Sequence, residues 1–327
     1  MFNDKFIKIT ERSCMFYFRM GINCLGKITT LIFLINLSIC SAWALSADDA
    51  NPQFWASRFP NDIKSDSDLE LDMKAVPYDN NFTYTNRVFV PTGSGPFPVL
   101  VVIPTCGGPD ASDKYLMTEG LSRGYAAIIL DTHRNARHNC TRPKRIGWGR
   151  MVKDSYDLLE QLSKQAYVDK NRVYAIGGSE GPMNGSFLTS PAIQKMITNN
   201  PLRYRAVAGF YGCGIFPKGT FSGQEEHFPF LFNDMNIPML WLAAGQDNEC
   251  KVQADSEVIS SMIAKKLPIQ YHLYPTATHC WNCSTKDGFT KSQPYVDGSD
   301  TTVRYRYDQQ ITEDSIDRAF KFFGQNQ

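Results

Sequence analysis

Short apolar runs alternate with helix-period segments along residues 87–323, and this predicts an α/β fold, a doubly wound and mostly parallel sheet with helices on both faces. Three observations carry the prediction. The runs at 99–103, 125–130 and 206–211 are apolar at successive positions, as strands covered on both sides must be. Segments such as 149–165 repeat apolar residues at helical spacing, through Val152, Tyr156, Leu159 and Leu162. Between such elements, Gly177-Gly178-Ser179-Glu180-Gly181 joins a buried strand to helix-compatible sequence.

From the beginning, residues 1–44 read as a targeting segment. Lys5, Lys8, Arg12, Arg19 and Lys27 form a basic lead-in, residues 28–40 are an apolar stretch, and Ala42-Trp43-Ala44 is an A-x-A cleavage signature. The apolar stretch is short for a membrane span and holds Asn36. Bulky Ile39 before Cys40 argues against a lipid-anchored reading, and Met20 would give a tidier translation start. The expectation is secretion or export to a periplasm after cleavage near Ala44, with no stable membrane association afterwards. The 283 residues that remain suit one large domain.

The leader's five basic and two acidic residues take the formal charge from +1 to −2 for the remainder. Near-neutrality with interspersed charges gives no reason to expect nucleic acid or an anionic membrane as partner. Nine cysteines divide as three in the leader and six after it, an even set that fits disulfides in an oxidising compartment. Cys280-x-x-Cys283 could instead be a redox pair, or with His279 part of a metal site. It lacks a following helix N-terminus for the first role and a second ligand cluster for the other.

Residues 45–75 are polar, with Asp and Ser clustered at 61–68, and read as an irregular N-terminal extension that Trp55 and Phe59 could pack down. The main domain is expected over 76–327. Strands are expected at 87–90, 99–103, 125–130, 173–177, 206–211, 239–243 and 269–274, and helices at 112–122, 149–165, 252–266 and 311–323. Segment 212–236 is long for a connection and rich in phenylalanine. Packing over the sheet edge is its plainer role, and a substrate-lining wall that Trp148 and Trp281 could join is the sharper one.

The G-x-S-x-G pattern alone would arise by chance in roughly one chain of this length in ten. Its context gives it weight. A serine attacks a carbonyl only if its Oγ projects from a sharp strand-to-helix turn, and the flanking glycines let neighbouring backbone pass close by. The following helix turns its positive end toward the site, and Pro182 suits a first helical turn. In a parallel sheet, functional groups gather at the carboxyl ends of strands. Ser179, Asp247 and His279 all follow predicted strands, in the chain order Ser, Asp, His of α/β-hydrolases. Ser179 is the expected nucleophile, His279 its base, and Asp247 the acid that orients the imidazole. Glu249 is the rival acid. His272 lies inside a strand, while His133 and His138 precede the serine, so all three are weaker bases. The oxyanion hole is expected from the N–H groups of Glu180 and Cys106, the latter in Pro104-Thr105-Cys106-Gly107-Gly108 after a strand.

Several blocks in order resemble the dienelactone hydrolase branch of the α/β-hydrolases over roughly residues 87–324. They are 98–108, 124–131, Gly177-Gly178-Ser179-Glu180-Gly181, Gly245-Gln246-Asp247, 274–279 and 307–323. Members often carry His-Gly where this chain has Pro104-Thr105, and a further glycine where it has Pro182. Many use Cys as nucleophile, whereas this chain looks like a serine member. The resemblance implies hydrolysis of small-molecule carboxylic esters, lactones or related acyl compounds with no cofactor, and with no second ligand cluster in the sequence no metal is expected. A peptidase or thioesterase on the same triad, or a binding module of hydrolase fold, are the alternatives. If the sheet order is that of α/β-hydrolases, Cys106 lies near Cys140 and Cys213 near Cys250, leaving Cys280 to pair with Cys283.

Overall fold

The computed structural model describes residues 44–63, 69–79, 84–133 and 146–327. In chain order, a single 3-10 turn at Ala47–Asp49 precedes α1 (Gln53–Ala56) and α2 (Phe59–Asp62). Then come β1 (Asp72–Pro77), β2 (Arg87–Val90), β3 (Phe97–Ile103), α3 (Ala111–Ser122), β4 (Ala126–Ile129), α4 (Trp148–Ser163) and β5 (Val168–Gly178). α5 (Glu180–Phe187), α6 (Pro191–Ile197), β6 (Ala206–Phe210), β7 (Ile215–Phe216), β8 (Phe228–Pro229) and β9 (Met239–Ala244) follow. The chain closes with α7 (Val252–Ala264), β10 (Ile269–Tyr274), β11 (Thr290–Ser292), β12 (Thr302–Arg304) and α8 (Gln309–Gln325).

Eight strands form one sheet in the order β1-β2-β4-β3-β5-β6-β9-β10. Every neighbouring pair is parallel except β2 with β4. The expected fold class is therefore the observed one. Strand alternation sorts the apolar residues into two layers. Val99, Val101 and Ile103 of β3 join one core with Val152, Leu159, Val258 and Met262 from α4 and α7. Leu100 and Val102 join the other, with Leu116 and Met117 of α3 and Ile316, Ala319 and Phe323 of α8. Burying both faces explains why the strands read as unbroken apolar runs.

The N-terminal stretch departs from the expectation of an irregular extension. Trp55 and Phe59, on its two short helices, are buried in the first core, ringed by Trp148, Phe187 and Phe230. The sheet also begins at Asp72, across the expected boundary at 76, because β1 is a half-buried edge strand with a register break and little apolar pattern. The phenylalanines of 212–236 mostly pack. Phe230 and Phe232 are core residues, while Phe216 and Phe221 pack at tilted angles with Tyr295. Trp281 is fully buried among Phe210, Tyr211 and Tyr274.

Two expected disulfides are formed by described residues. Cys213–Cys250 joins the loops after the neighbouring strands β6 and β9, and Cys280–Cys283 closes locally. Cys106 is also disulfide-bonded. Its expected partner Cys140, like His138 and the leader through Trp43, lies outside the described residues. Among the described residues, no helix is long and apolar enough to cross a membrane.

Candidate active site

β5 runs through the middle of the sheet and stops at Gly178, so the turn that follows stands at the sheet's carboxyl edge. Ser179 there has φ +57° and ψ −106°, a backbone region costly for a residue with a Cβ. Its neighbours hold it in place. The Ser179 N–H donates to the Phe210 carbonyl at 2.9 Å, continuing the β5–β6 ladder. Gly177 and Gly181 both pack against the carbonyl oxygen of Ile103, where a Cβ on either would clash with backbone that cannot give way. The G-x-S-x-G spacing is thus a packing requirement between β5, α5 and β3.

Asp247 enters from the turn after β9. That turn is fixed by Gly245 N–H to Tyr274 and Gln246 N–H to Ala277, both 2.8 Å, which tie it to the end of β10. Asp247 Oδ1 accepts from the N–H groups of Glu249 at 2.7 Å and Cys250 at 3.2 Å. Its other oxygen, Oδ2, lies 2.7 Å from His279 Nδ1. His279 follows β10 through Pro275-Thr276-Ala277-Thr278 and is fully buried. Its Nε2 is 2.9 Å from Ser179 Oγ. The three side chains picked from sequence order therefore form one hydrogen-bonded chain, and Ser179 is 7% exposed.

Two tyrosines flank the imidazole. Tyr211, after β6, meets it edge-on at 4.9 Å, and Tyr305, just after β12, lies 5.5 Å away on another side. Thr278 Oγ1 accepts from the Arg306 N–H at 2.8 Å and steadies the loop one residue before the histidine. Burial works against the charged imidazole, but the carboxylates of Asp247 and Glu249 outweigh it and raise the His279 pKa.

The remaining candidates are dispersed. Glu249 does not take Asp247's place on Nδ1. Its Oε2 lies 3.3 Å from Nε2, on the serine side of the ring. His272 pairs with Leu242 in the β9–β10 ladder and packs on Tyr274, away from the serine. His133 is buried, with Nε2 3.7 Å from Glu180 Oε1. In the loop after β3, Gly107 N–H donates to Thr105 Oγ1 and Gly108 N–H to the Thr105 carbonyl, while Pro104 has no N–H. Those two glycine donors serve the turn itself. Asp247, Cys250 and His279 cluster closely enough to suggest a metal, but Cys250 is bonded to Cys213. The pair Cys280 and Cys283 likewise spend their sulfurs on each other. Tyr211, Tyr305 and Lys291, whose ammonium pairs with Glu249 Oε1, were invisible to sequence reasoning, because no motif marks them and two of them come from a segment beyond the last strand of the main sheet.

The profile of the dienelactone hydrolase family matches residues 85–327. The chain belongs to the dienelactone hydrolase family. A search of curated proteins finds no match. Among solved structures, a Klebsiella pneumoniae protein assigned to the dienelactone hydrolases aligns with TM-score 0.55 and 18% identity, over 72% of this chain and 89% of its own. A dienelactone hydrolase-like promiscuous phosphotriesterase from metagenomic libraries aligns with TM-score 0.50 and 18% identity, over 72% and 88%. Esterase 2 of Thermogutta terrifontis, with butyrate bound, aligns with TM-score 0.50 and 13% identity, over 73% and 87%. At these identities the likeness speaks to fold.

Proposed function

We propose that this dienelactone hydrolase family member is an exported serine hydrolase that cleaves small carboxylic esters or lactones through an acyl-enzyme. The observation that carries the reading is the unbroken Asp247–His279–Ser179 chain at 2.7 and 2.9 Å. Asp247, with Oδ1 already occupied by two backbone donors, offers Oδ2 to the His279 Nδ1–H and so keeps Nε2 unprotonated. Nε2 takes the Ser179 hydroxyl proton as Oγ bonds to the substrate carbonyl carbon. The developing oxyanion lies toward the N–H groups of Cys106 and Glu180 and the positive end of α5. Collapse breaks the bond to the leaving oxygen, which receives the proton from Nε2. Water then repeats the sequence on the acyl-enzyme, releasing acid and restoring Ser179.

Export is supported by the leader's pattern and by disulfides that an oxidising compartment would sustain. A fluorophosphonate probe should label the purified protein at Ser179, identified by peptide mass, and p-nitrophenyl esters of graded chain length should be turned over. A protein that folds but takes no label and hydrolyses none of these esters would be a binding module instead.

A further inference from the structure

Glu249 has an unusual position for a charged group. It is 6% exposed, two residues from Asp247, yet it faces the opposite nitrogen of the same imidazole. The carboxylate is held rather than offered. Oε1 pairs with Lys291 Nζ, and Oε2 accepts from the Tyr305 hydroxyl at 2.8 Å. The Tyr295 hydroxyl donates to the Glu249 carbonyl. Lys291 lies on β11, Tyr305 just after β12, and Tyr295 in the excursion between them. That excursion is itself pinned by Lys251 to Asp297 at 2.9 Å and by Val296 N–H to the Thr220 carbonyl. A segment outside the main sheet thus carries two side chains onto one buried carboxylate beside the histidine, and a third onto the backbone carbonyl of the same residue.

Resting on the serine-hydrolase reading above, we propose that Glu249 is a second acid acting on His279, a positioning residue that stabilises the imidazolium from the Nε2 side while Asp247 does so from Nδ1. Nε2 is the atom whose proton moves. It must be bare to accept from Ser179 and charged to donate to the leaving oxygen. A fixed negative charge 3.3 Å away favours the charged form without contacting substrate. Lys291 trims this effect by neutralising part of that charge, and Tyr305 fixes its place. Among the described residues, the titratable and charged groups facing the imidazole are Asp247 and Glu249 after β9, Lys291 on β11, Tyr211 after β6 and Tyr305 after β12. Both tyrosines are pushed up by burial and by nearby carboxylates, so they stay neutral. The balance at Nε2 is left to Glu249 against Lys291.

A clamp with only a structural purpose would lower stability or rate when broken, without moving the protonation of His279. The two roles separate in the pH dependence of fluorophosphonate labelling at Ser179, whose acid limb reports that protonation. Glu249→Gln keeps the shape and removes the charge, so the acid limb should move to lower pH by about one unit. Lys291→Met removes the opposing cation and should move it to higher pH. Tyr305→Phe, a milder change that withdraws a hydrogen bond and leaves the charge, should move it upward too. It keeps the test readable if Glu249→Gln does not fold. Opposite displacements by the glutamate and lysine variants establish the inference. Limbs that superimpose on wild type, or that move together, overturn it. Wild-type protein that labels at no pH takes down the serine-hydrolase reading as well, whereas normal labelling with unmoved limbs removes only the role of Glu249.

Discussion

Replacing Asp247 by Asn tests the proposed chemistry through one oxygen atom. The side chain's orientation is dictated by its surroundings. Oδ1 accepts from the Glu249 and Cys250 N–H groups, so an asparagine must put its oxygen there and its NH2 toward His279 Nδ1. Nδ1 must then act as acceptor, which moves the ring proton to Nε2. There it faces Ser179 Oγ at 2.9 Å and Glu249 at 3.3 Å, and a nearby carboxylate favours that wrong tautomer. Nε2 can no longer accept the serine proton. Loss of the tautomer in a comparable serine triad lowers kcat about 10⁴-fold, equivalent to about 5.5 kcal/mol of barrier. The melting temperature should stay near wild type, since both backbone donors keep an acceptor. Initial rates on a short-chain p-nitrophenyl ester, together with thermal melts, decide the matter. A variant that keeps a tenth of wild-type kcat, or one less impaired than Glu249→Gln, would refute the assignment of Asp247 as orienting acid.

Ser179→Ala should abolish ester turnover and labelling while leaving the thermal melt almost unchanged; retention of a tenth of the activity would place the nucleophile elsewhere. Asp255 offers a test on stability. It is buried, accepts from the Ile215 N–H at 2.8 Å, and burial pushes its pKa up to about 8 despite hydrogen bonds from Gly214 and Ile215. Between its ordinary value and about 8, the folded state keeps a proton that the unfolded chain releases, so its contribution is complete at acid pH and is lost as pH rises through that window. Asp255→Asn should therefore raise the melting temperature at pH 8.5 relative to wild type and change it little at pH 4; equal effects at both would contradict the buried neutral acid. Mass spectrometry of exported protein should find Leu45 at the N-terminus, where the new ammonium would stand 3.3 Å from Glu257 Oε2; an intact leader or a lipid on Cys40 would replace a free protein with an anchored one. Non-reducing peptide mapping should recover Cys106 linked to Cys140 beside the Cys213–Cys250 and Cys280–Cys283 bridges; a Cys106–Cys213 peptide would break the map.

The parts of this molecule that could be read from sequence are those where one physical demand fixes residue type at a fixed spacing. Double-sided burial made β3, β4 and β6 legible as apolar runs. The crowding of Gly177 and Gly181 against Ile103 made the turn that carries Ser179 legible. Asp247 and His279 were found because parallel strands deliver their functional groups at one edge, so position after a strand stood in for position in space. β1 failed that test, since an edge strand with half-buried residues and a register break imposes no such pattern. Trp55 and Phe59 failed it differently. Two four-residue helices are too short to show a period, although the aromatic cluster they enter is part of the main core.

Glu249 marks the boundary between the two kinds of information. Its nearness to Asp247 in sequence suggested a rival for the same task. Its actual place, on the far nitrogen of His279, depends on a turn in which the Glu249 N–H is spent on Asp247 while its side chain swings to Lys291 and Tyr305. Those two residues lie 42 and 56 positions further on, with no spacing rule linking them to residue 249. The sheet and the triad are consequences of local pattern plus fold rules. The electrostatic setting of the histidine is instead a consequence of a segment laid over them afterwards. In a fold whose catalytic groups sit at fixed strand ends, that segment is where residues can change the protonation of His279 without disturbing the positions of Ser179 or Asp247.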